Sequence, residues 1–476
     1  MGRRVWVAAA LLCATCAPKR LAAPPAPGPS QRWADGVDWA AAEDEAVDLL
    51  SRYLQVDTIN PPGNEAVGAA FLAGELDRVG VPSEIEEFLP GRANLIARLR
   101  GSGEEPPLCL LSHMDVVSAD PDGWSKPPLS GEVDADGYIW GRGALDMKSV
   151  GVVELLGMAW LQRLGVPLRR DVILLAVGDE EVNNLGIRWL ADHRWGDIGC
   201  TQLINEGGLG VRDAMVEGVT VFAVSFVEKG NLWLRLVATG EPGHGSTPLP
   251  DSAPMRLLDA VERLRGYDPK PVFHPELHRL LGAVGERAGG LTGAVLRSPG
   301  LTRSLAAGRL MDNPLSRALL TNTVNITGFG GAREPNVVPS EAWAQLDVRL
   351  LPGVTPEVML AELKALVGEE PWLRWEVLDQ AAAVESPTDD PLFRSIVDNV
   401  QRAWPEAAVG PFIMMGSTDA TIVRPLGVHA YGIVPFELSQ DELRGFHGND
   451  ERLHRDQLGK GLEVMLRILL DAAAKP

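Results

Sequence analysis

The chain has 476 residues, of which 45% are hydrophobic and 23% charged, as in ordinary soluble globular proteins of two or three domains. Its formal net charge of −20 argues against a nucleic acid or an anionic membrane surface as a partner. Only four cysteines occur. Two lie near the N-terminus, one lies in an apolar run and one follows a glycine, so we expect no disulfide framework.

The N-terminal segment is not expected to be part of the fold. Two arginines precede Val5–Leu12, an apolar stretch that is too short to span a bilayer. We interpret residues 1–23 as a secretory signal peptide and the Ala/Pro-rich residues 24–40 as a disordered tether. Cys16 is an alternative site for lipid attachment, although its sequence context makes a poor lipobox. The expected location is periplasmic or secreted, with no transmembrane helix in the mature chain.

From residue 41 to 229, helical and strand patterns alternate. The predicted helices cover residues 43–55, 65–79, 147–164 and 185–193, and the predicted strands cover residues 83–88, 94–99, 108–111 and 171–177. This alternation predicts a mixed or parallel α/β sheet that is covered on both faces.

After Gly230 the pattern changes to an alternation of apolar and polar residues, which is typical of strands half exposed to water. Such strands are predicted at 232–237 and 342–348, with a helix at 252–264 and a loosely patterned region at 266–320. We therefore interpret residues 230–378 as an inserted α+β domain. The α/β pattern then resumes, with a helix at 390–403, a strand at 412–415 and a closing helix from residue 456.

Polar side chains follow three of the apolar runs that predict buried strands. They are His113 and Asp115 after the first run, Glu180 and Glu181 after the second, and Glu206 after the third. Asp146 lies between a Gly-rich turn and a helical pattern. Open α/β sheets bind ligands beyond the carboxyl ends of their strands, so these side chains are expected at one edge. That many carboxylates repel one another unless cations hold them, which predicts a metal site.

Nine short motifs stand in order between His113 and His447. They are HMD, GRGALDMK, DEE, NEGG, GHGSTP, NVVP with DVR, GSTDA and FHG. Together they resemble the zinc-peptidase family of aminoacylase, glutamate carboxypeptidase and succinyl-diaminopimelate desuccinylase. The resemblance implies an α/β fold with a phosphorylase/hydrolase-like mixed-sheet catalytic domain and an inserted α+β lid (dimerisation) domain. The catalytic domain would consist of residues 41–229 and 379–476, and the lid of residues 230–378.

The resemblance also implies two zinc ions per subunit, with cobalt or manganese as substitutes. The implied ligands are His113, Asp146 and Glu206 for one ion, and Asp146, Glu181 and His447 for the other. Asp115 would hydrogen-bond the free ring nitrogen of His113, as carboxylates behind metal ligands do. Glu180 would act as general base and then as general acid. The peptide bond after Asp146 is expected to be cis.

Further residues are implied in substrate binding. His244 in GHGSTP would stabilise the oxyanion, in family members often from the neighbouring subunit, which is consistent with a homodimer formed through the lid. Arg349 in DVR would bind a substrate carboxylate, with the alternative that it pairs with an acidic residue of its own sheet. Asn336 precedes Arg349 on the lid, and Gly416 to Thr418 resemble a loop that contacts the substrate.

The implied function is a dizinc-dependent hydrolase that cleaves an amide bond adjacent to a free carboxylate in a small peptide or an N-acyl amino acid. Such an enzyme is a carboxypeptidase or an N-acyl-amino-acid amidohydrolase. Glu206, where the aminopeptidases and dipeptidases of the family have Asp, favours this type. One alternative is an aminopeptidase or dipeptidase on the same dizinc scaffold, which needs an acidic anchor for a free amine. The other is a non-catalytic peptide-binding member, against which Glu180 and the complete set of ligands argue.

Overall fold

The computed structural model of the protein describes residues 28–476. The predicted signal peptide and the first part of the predicted tether lie outside this range. The tether prediction is wrong from Pro29 onward, because Pro29–Gly36 form a 3-10 helix. Ala34 of this helix is buried, and Gln31 donates from Nε2 to Asp471 Oδ1 at 2.6 Å. The segment is therefore packed on the C-terminal helix rather than free in solvent.

Residues 28–228 contain five α-helices and seven strands, apart from short 3-10 helices. In chain order these are α1 (Trp39–Leu54), α2 (Glu65–Arg78), β1 (Ser83–Leu89), β2 (Arg92–Leu99), β3 (Leu108–His113), β4 (Tyr138–Trp140), α3 (Lys148–Arg163), β5 (Val172–Val177), α4 (Leu185–His193), α5 (Trp195–Ile198), β6 (Gln202–Val211) and β7 (Val221–Glu228). The helices and strands predicted from the apolar periodicity all form here, with ends that move by a few residues.

The insert follows directly after β7. Its elements are β8 (Gly230–Thr239), β9 (Gly243–His244), α6 (Ala253–Leu264), α7 (Pro275–Ala288), α8 (Gly290–Leu296), α9 (Pro299–Leu301), a π-helical stretch (Thr302–Ala306), α10 (Ala307–Asp312), α11 (Pro314–Leu320), β10 (Thr323–Gly330), β11 (Val337–Val338), β12 (Glu341–Leu350), α12 (Pro356–Val367) and β13 (Leu373–Ala381). The loosely patterned region is therefore mostly helical. Its helix α7 packs against a strand of the large sheet, where Leu280 contacts Gly410.

The C-terminal part returns to the first domain. Its elements are α13 (Pro391–Ala403), β14 (Ala408–Met414), α14 (Ala420–Val423), β15 (His429–Leu438), β16 (Arg452–His454) and α15 (Arg455–Ala473). Asp390 caps α13 by accepting the N–H of Leu392 at 2.7 Å, which explains why this helix begins where it does.

Eight strands form one large mixed sheet in the order β1-β2-β5-β3-β6-β15-β7-β14. The central strands β5, β3 and β6 are parallel neighbours, whereas β1, β2 and β5 pair antiparallel. Leu110 of β3 faces a core shared with α1, α3 and α15, and Leu111 faces a second core shared with α4 and α14. Both faces of the sheet are covered, as the continuous apolar runs predict. The predicted α/β fold is confirmed.

The insert has its own four-stranded sheet, in the order β10-β12-β8-β13. Every second residue of β12 is buried, so one face of this sheet packs on α6 and α12 while the other faces outward. The chain enters and leaves the insert at neighbouring positions, because Asn231 of β8 pairs with Ala381 of β13. Close to these crossings, Ser386 N–H donates to Phe226 O at 2.9 Å.

A disulfide joins Cys109 of β3 to Cys200, just before β6, with a Cα–Cα distance of 5.9 Å. The expectation of no disulfide framework is therefore wrong for this one pair. The two residues are 91 positions apart in the chain, but β3 and β6 are neighbours in the sheet, with Leu108 opposite Gln202. Strand order, which local sequence does not show, brings the two sulfur atoms together. Within the described part of the chain, none of the helices combines the length and apolar character that a membrane crossing needs.

One acidic residue lies deep in the core of the first domain. Glu154 of α3 is fully buried, and this burial raises the pKa of its carboxyl group to about 8. Below pH 4.5, the ordinary pKa of this carboxyl group, Glu154 is protonated in both the folded and the unfolded chain. As the pH rises from 4.5, where the carboxyl group ionises in the unfolded chain, to about 8, where it ionises in the folded chain, stability is lost, and above this range the loss is complete.

We therefore expect Glu154→Gln to be more stable than the wild type at pH 9, by about 1–3 kcal/mol, and equal to it near pH 4. Urea denaturation of both proteins at the two pH values measures this difference. Glu369→Gln, at an exposed position, is the control and should show no pH-dependent gain. A Glu154→Gln gain that is the same at both pH values would contradict the buried-acid explanation.

Candidate metal centre

Two groups of side chains at one edge of the large sheet are arranged as metal ligands. The first consists of His113, Asp146 and Glu206, and the second of Asp146, Glu181 and His447. In each group one ligand atom from every residue lies within 4.8 Å of the others. Because Asp146 belongs to both groups, the two positions adjoin each other. These are the five ligands that the family resemblance implies.

The contacts in the first group are short. His113 Nε2 lies 3.1 Å from Asp146 Oδ1 and 3.6 Å from Glu206 Oε1. His113 ends strand β3, whereas Glu206 lies inside β6, because that strand continues past the point predicted from its apolar run. The two strands are parallel neighbours, so their side chains face the same edge.

In the second group, His447 Nε2 lies 3.1 Å from both Asp146 Oδ2 and Glu181 Oε2. The two carboxylate oxygens of Asp146 therefore point to different groups, as a bridging ligand requires. His447 has a positive φ of 52° and an exposed side chain, so this side of the centre is open to solvent. The peptide bond between Asp146 and Met147 is cis, as expected.

The ring of His113 is held from behind by a backbone group. His113 Nδ1 lies 2.9 Å from the carbonyl oxygen of Asp115, whereas the Asp115 carboxylate is 3.8 Å away. The prediction that this carboxylate bonds the ring is wrong. It instead accepts the N–H groups of Glu180 at 3.1 Å and Glu181 at 3.2 Å. A carbonyl acceptor at Nδ1 leaves Nε2 as the free ligand atom.

The residues fit a divalent metal ion. Burial raises the pKa of Glu206 well above its ordinary value, and the nearby Asp146 adds to this effect. Hydrogen bonds to Asp146 and Glu181 raise the pKa of His447 to about 10. Glu181 Oε1 is buried without a hydrogen-bond partner among the described residues. Positive charge between these groups would satisfy both the carboxylates and the unpaired oxygen, and Zn²⁺ accepts such a mixture of imidazole and carboxylate.

Glu180 lies beside the centre without belonging to either ligand group. Burial raises the pKa of its carboxyl group well above the ordinary value, opposed by His113 and increased by the acids around it. One of these acids is Asp419, which is buried and accepts a hydrogen bond from Asn184 at 3.0 Å. Asp419 belongs to the GSTDA motif, but we assigned it no role from the sequence. An acid in such surroundings suits proton transfer near neutral pH.

The loop that carries Asp146 depends on a buried ion pair that the sequence did not suggest. Glu451 Oε1 accepts the N–H groups of Leu145 at 2.6 Å and Asp146 at 3.1 Å. Glu451 Oε2 accepts the N–H of Gly143 at 2.9 Å and a bond from Arg142 Nη1 at 2.7 Å. One indication of this ion pair was present in the sequence. Arg142 lies within the motif GRGALDMK and Glu451 lies shortly after the motif FHG, so both stand close in the chain to proposed ligands.

The three lid residues lie in two places. His244 and Asn336 come together where β9 pairs with β11, because Gly245 N–H donates to Asn336 O at 2.7 Å. Both side chains are exposed, and His244 Nδ1 contacts Ser246 Oγ at 2.7 Å. Arg349 of β12 forms a two-point ion pair with Asp347, with Nε at 2.7 Å and Nη2 at 3.2 Å. This contact is the alternative that we left open for Arg349.

The GSTDA loop supports the centre more than it faces a substrate. Gly416 is half-buried, but Thr418 is fully enclosed. Thr418 Oγ1 donates to Glu228 at 3.0 Å and accepts from Asn205 Nδ2 at 3.2 Å. The prediction of Thr418 as a substrate contact therefore disagrees with the structure, because its hydroxyl group is used inside the protein. The contact with Asn205 lies next to Glu206, so the loop and a ligand strand are tied together.

Imidazole and carboxylate groups paired at the edge of a mixed sheet, in a chain with an inserted second sheet, are the arrangement expected of a metal-dependent hydrolase. Residues 109–471 match the model of Peptidase family M20/M25/M40, and the chain belongs to this family. The predicted family resemblance and the assignment as a hydrolase are confirmed. Members of this family use divalent metal ions.

Curated relatives agree with this assignment. The chain is 27% identical to Aminoacylase-1 of Sus scrofa over 447 residues, which cover 91% of this chain and 97% of the relative. It is also 27% identical to the probable carboxypeptidase S-like 2 of Dictyostelium discoideum over 371 residues, or 76% and 70% of the two chains. Among solved structures, an M20 family metallo-carboxypeptidase of Sulfolobus solfataricus superposes with a TM-score of 0.68 at 20% identity, covering 90% of this chain and 98% of the other.

Proposed function

We propose that the protein is a dizinc hydrolase that cleaves an amide bond next to a free carboxylate, as a carboxypeptidase or an N-acyl-amino-acid hydrolase. The observation that carries the proposal is the sharing of Asp146 between two complete ligand groups, with a protonatable acid beside them. The aminoacylase and carboxypeptidase relatives support this substrate class.

Each side chain of the centre has a task in this reaction. His113, Asp146 and Glu206 would hold one zinc ion, and Asp146, Glu181 and His447 the other. When bound, the ions would supply Lewis acidity and lower the pKa of water. Glu180 takes a proton from the attacking water and delivers it to the leaving nitrogen. The protein thus supplies one carboxyl group for both proton transfers.

A substrate panel tests this proposal. The purified protein is loaded with Zn²⁺, its metal content is measured, and hydrolysis is followed for N-acyl amino acids, dipeptides and N-acyl amino acid amides. We expect about two zinc ions per chain and activity that requires the free carboxylate. Cleavage only of substrates with a free amine would favour the aminopeptidase or dipeptidase alternative. Metal binding without hydrolysis of any member would favour a non-catalytic peptide-binding protein.

Arg349 is proposed to bind the substrate carboxylate, for which the guanidinium group must leave or share Asp347. A charge-assisted contact of this kind contributes about 1.5–3 kcal/mol. Arg349→Ala should therefore raise KM by roughly one to two orders of magnitude for substrates with a free carboxylate, at about 1.4 kcal/mol per decade. The matching carboxamides should change much less. Arg235→Ala, which removes an arginine stacked on Trp343 of the same sheet, is the control. Equal losses on acids and carboxamides would remove Arg349 from this role.

His244 is proposed to stabilise the oxyanion in a homodimer formed through the lid, acting on the centre of the neighbouring subunit. Its exposed position on the edge of the insert supports this role. Mixing inactive His244→Ala with inactive Glu180→Gln subunits should then restore about a quarter of the activity of the wild type. Random pairing makes about half of the dimers hybrid, and each hybrid has one intact centre out of two. The measurement is kcat after refolding of the mixture. Verified hybrid dimers without activity would place His244 at the centre of its own chain.

We also propose that the protein acts outside the cytoplasm, in the periplasm or after secretion. The disulfide between Cys109 and Cys200 supports this location, since such bonds persist mainly in oxidising compartments. Fractionation of producing cells, together with mass determination of the mature chain, tests the proposal. Full-length chain that remains in the cytoplasm with reduced cysteines would contradict it.

A further inference from the structure

Asn60 lies in the turn between α1 and α2, directly before Pro61 and Pro62. Its side chain is buried, and Nδ2 donates to two carboxylates, to Asp115 Oδ2 at 2.8 Å and to Asp179 Oδ1 at 2.9 Å. Both aspartates are fully buried. An amide nitrogen carries two hydrogens, so both donors of Asn60 are used on these acids. The turn itself is fixed to the sheet domain by a bond from Asn60 N–H to Val116 O at 2.8 Å.

Asp115, which Asn60 holds in place, in turn binds the backbone of Glu180 and Glu181. Its Oδ1 accepts the N–H of Glu180 at 3.1 Å, and its Oδ2 accepts the N–H of Glu181 at 3.2 Å. The same oxygen, Oδ2, receives the bond from Asn60. The orientation of this carboxylate therefore decides where the backbone of the proposed general base and of one proposed metal ligand lies.

Asp179 directly precedes Glu180 and Glu181 in the turn that carries them, and its own contacts also fix this turn. Its backbone has a φ of 69°, which is uncommon outside glycine and needs support from its surroundings. That support comes from Arg92, whose Nη2 lies 2.9 Å from Asp179 Oδ1, and from Glu65, which accepts the Asp179 N–H at 3.1 Å. Asn60 completes the set, because it donates to the same oxygen as Arg92.

The position of Asn60 between two buried carboxylates restricts which side chain can stand there. An aspartate has the same shape, but it would turn an acceptor with a negative charge toward two other acceptors. A leucine has a similar size, but it would leave both carboxylates without this donor. The two N–H donors of the Asn60 amide join the two acids without adding charge.

We propose that Asn60 is a positioning residue for the reaction, which acts through Asp115 and Asp179 to fix the turn that carries Glu180 and Glu181. This inference rests on the proposed function, because it concerns the orientation of the general base and of one metal ligand named there. It extends the centre to a part of the chain that precedes every motif of the family resemblance.

The test compares Asn60→Asp with a matched change elsewhere. Asn399 of α13 is equally enclosed, and its Nδ2 donates to Asp471 Oδ2 of α15 at 2.8 Å. Asn399→Asp therefore makes the same substitution in a buried amide–carboxylate pair outside the centre. For both variants we measure the melting temperature, kcat and KM on the best substrate of the panel, and the affinity for Zn²⁺ by calorimetric titration of the metal-free protein.

Asn60→Asp is expected to lower kcat by about 10–100-fold and to weaken zinc binding by about tenfold or more, as changes behind metal ligands do, with KM changed by less than about threefold. Asn399→Asp should also lower the melting temperature, by less because Arg402 Nη1 donates to Asn399 Oδ1 and offsets the new charge, and it should leave kcat and zinc binding unchanged. If Asn60→Asp does not fold, Asn60→Ser, which keeps one donor, is measured against the same criteria.

Wild-type kcat and zinc affinity in the folded Asn60 variant would overturn the proposal, and so would equal losses in the Asn399 variant. If the wild-type protein hydrolyses no member of the panel, the proposed function fails. The zinc titrations then still decide whether Asn60 positions the ligand turn, because they need no turnover.

Discussion

Replacing Glu180 by Gln is expected to lower kcat by about 10²–10⁴-fold, the usual contribution of general acid–base catalysis, while both proposed metal positions stay intact. The amide keeps the shape of the side chain but cannot accept a proton. Glu180 belongs to neither ligand group, and its N–H stays bonded to Asp115 in the variant. Steady-state kinetics and elemental analysis of the same preparation measure the two quantities.

Glu181→Gln is the matched control, because it makes the same change at the adjacent residue. Glu181 Oε2 lies 3.1 Å from His447 Nε2 in the second ligand group, so this variant should lose metal affinity first and activity as a result. Excess Zn²⁺ should then restore part of the activity of Glu181→Gln and none of that of Glu180→Gln. The opposite pattern would show that the roles of the two acids are reversed.

Glu451→Gln is expected to lower the free energy of unfolding by about 3–5 kcal/mol, because it leaves the buried Arg142 guanidinium without its counter-charge. The amide also cannot accept all three backbone N–H groups that Glu451 binds. Denaturant unfolding of the metal-free protein measures the loss. Zinc affinity should fall as well, because one of these N–H groups belongs to Asp146.

Glu442 offers a control for the effect of burial alone. Its carboxylate is also buried, but its partner Arg212 has a side chain that is 48% exposed. Glu442→Gln should therefore cost much less, since water can solvate the freed guanidinium group. Equal losses for the two variants would mean that the Arg142 ion pair contributes nothing specific to stability.

Four of the proposed metal ligands could be placed together from the sequence because each stands near the end of an apolar run or a Gly-rich turn, whereas His447 was implied only by the family resemblance. Leu108–Leu111 is continuously apolar, and the strand that it predicts ends at His113, two residues further along the chain. The helix at Leu185–His193 has the predicted bounds, since its apolar spacing is regular. In both cases the information lies within about ten neighbouring residues.

Features that depend on contacts between distant segments could not be predicted in this way. The sequence around Thr418 is typical of a substrate-binding loop. Only the structure shows that its hydroxyl group donates to Glu228, which is distant in the chain. The pairing of Cys109 with Cys200 depends on the order of the strands in the sheet. The Asp115 carboxylate was assigned to the wrong partner because its backbone oxygen and its side chain both lie near the site.

The two crossings between the domains have a consequence for how such a protein can diversify. The insert starts at Gly230 and its last strand ends at Ala381, and these ends lie so close that a Cβ atom on Gly230 would be 2.6 Å from Ala381 O. A segment with adjacent ends can be lengthened, shortened or exchanged with little strain on the sheet that carries the ligands. The four-stranded sheet of the insert can thus vary in length and sequence while the strands that carry His113 and Glu206 keep their places, whereas α7 is held to β14 of the large sheet.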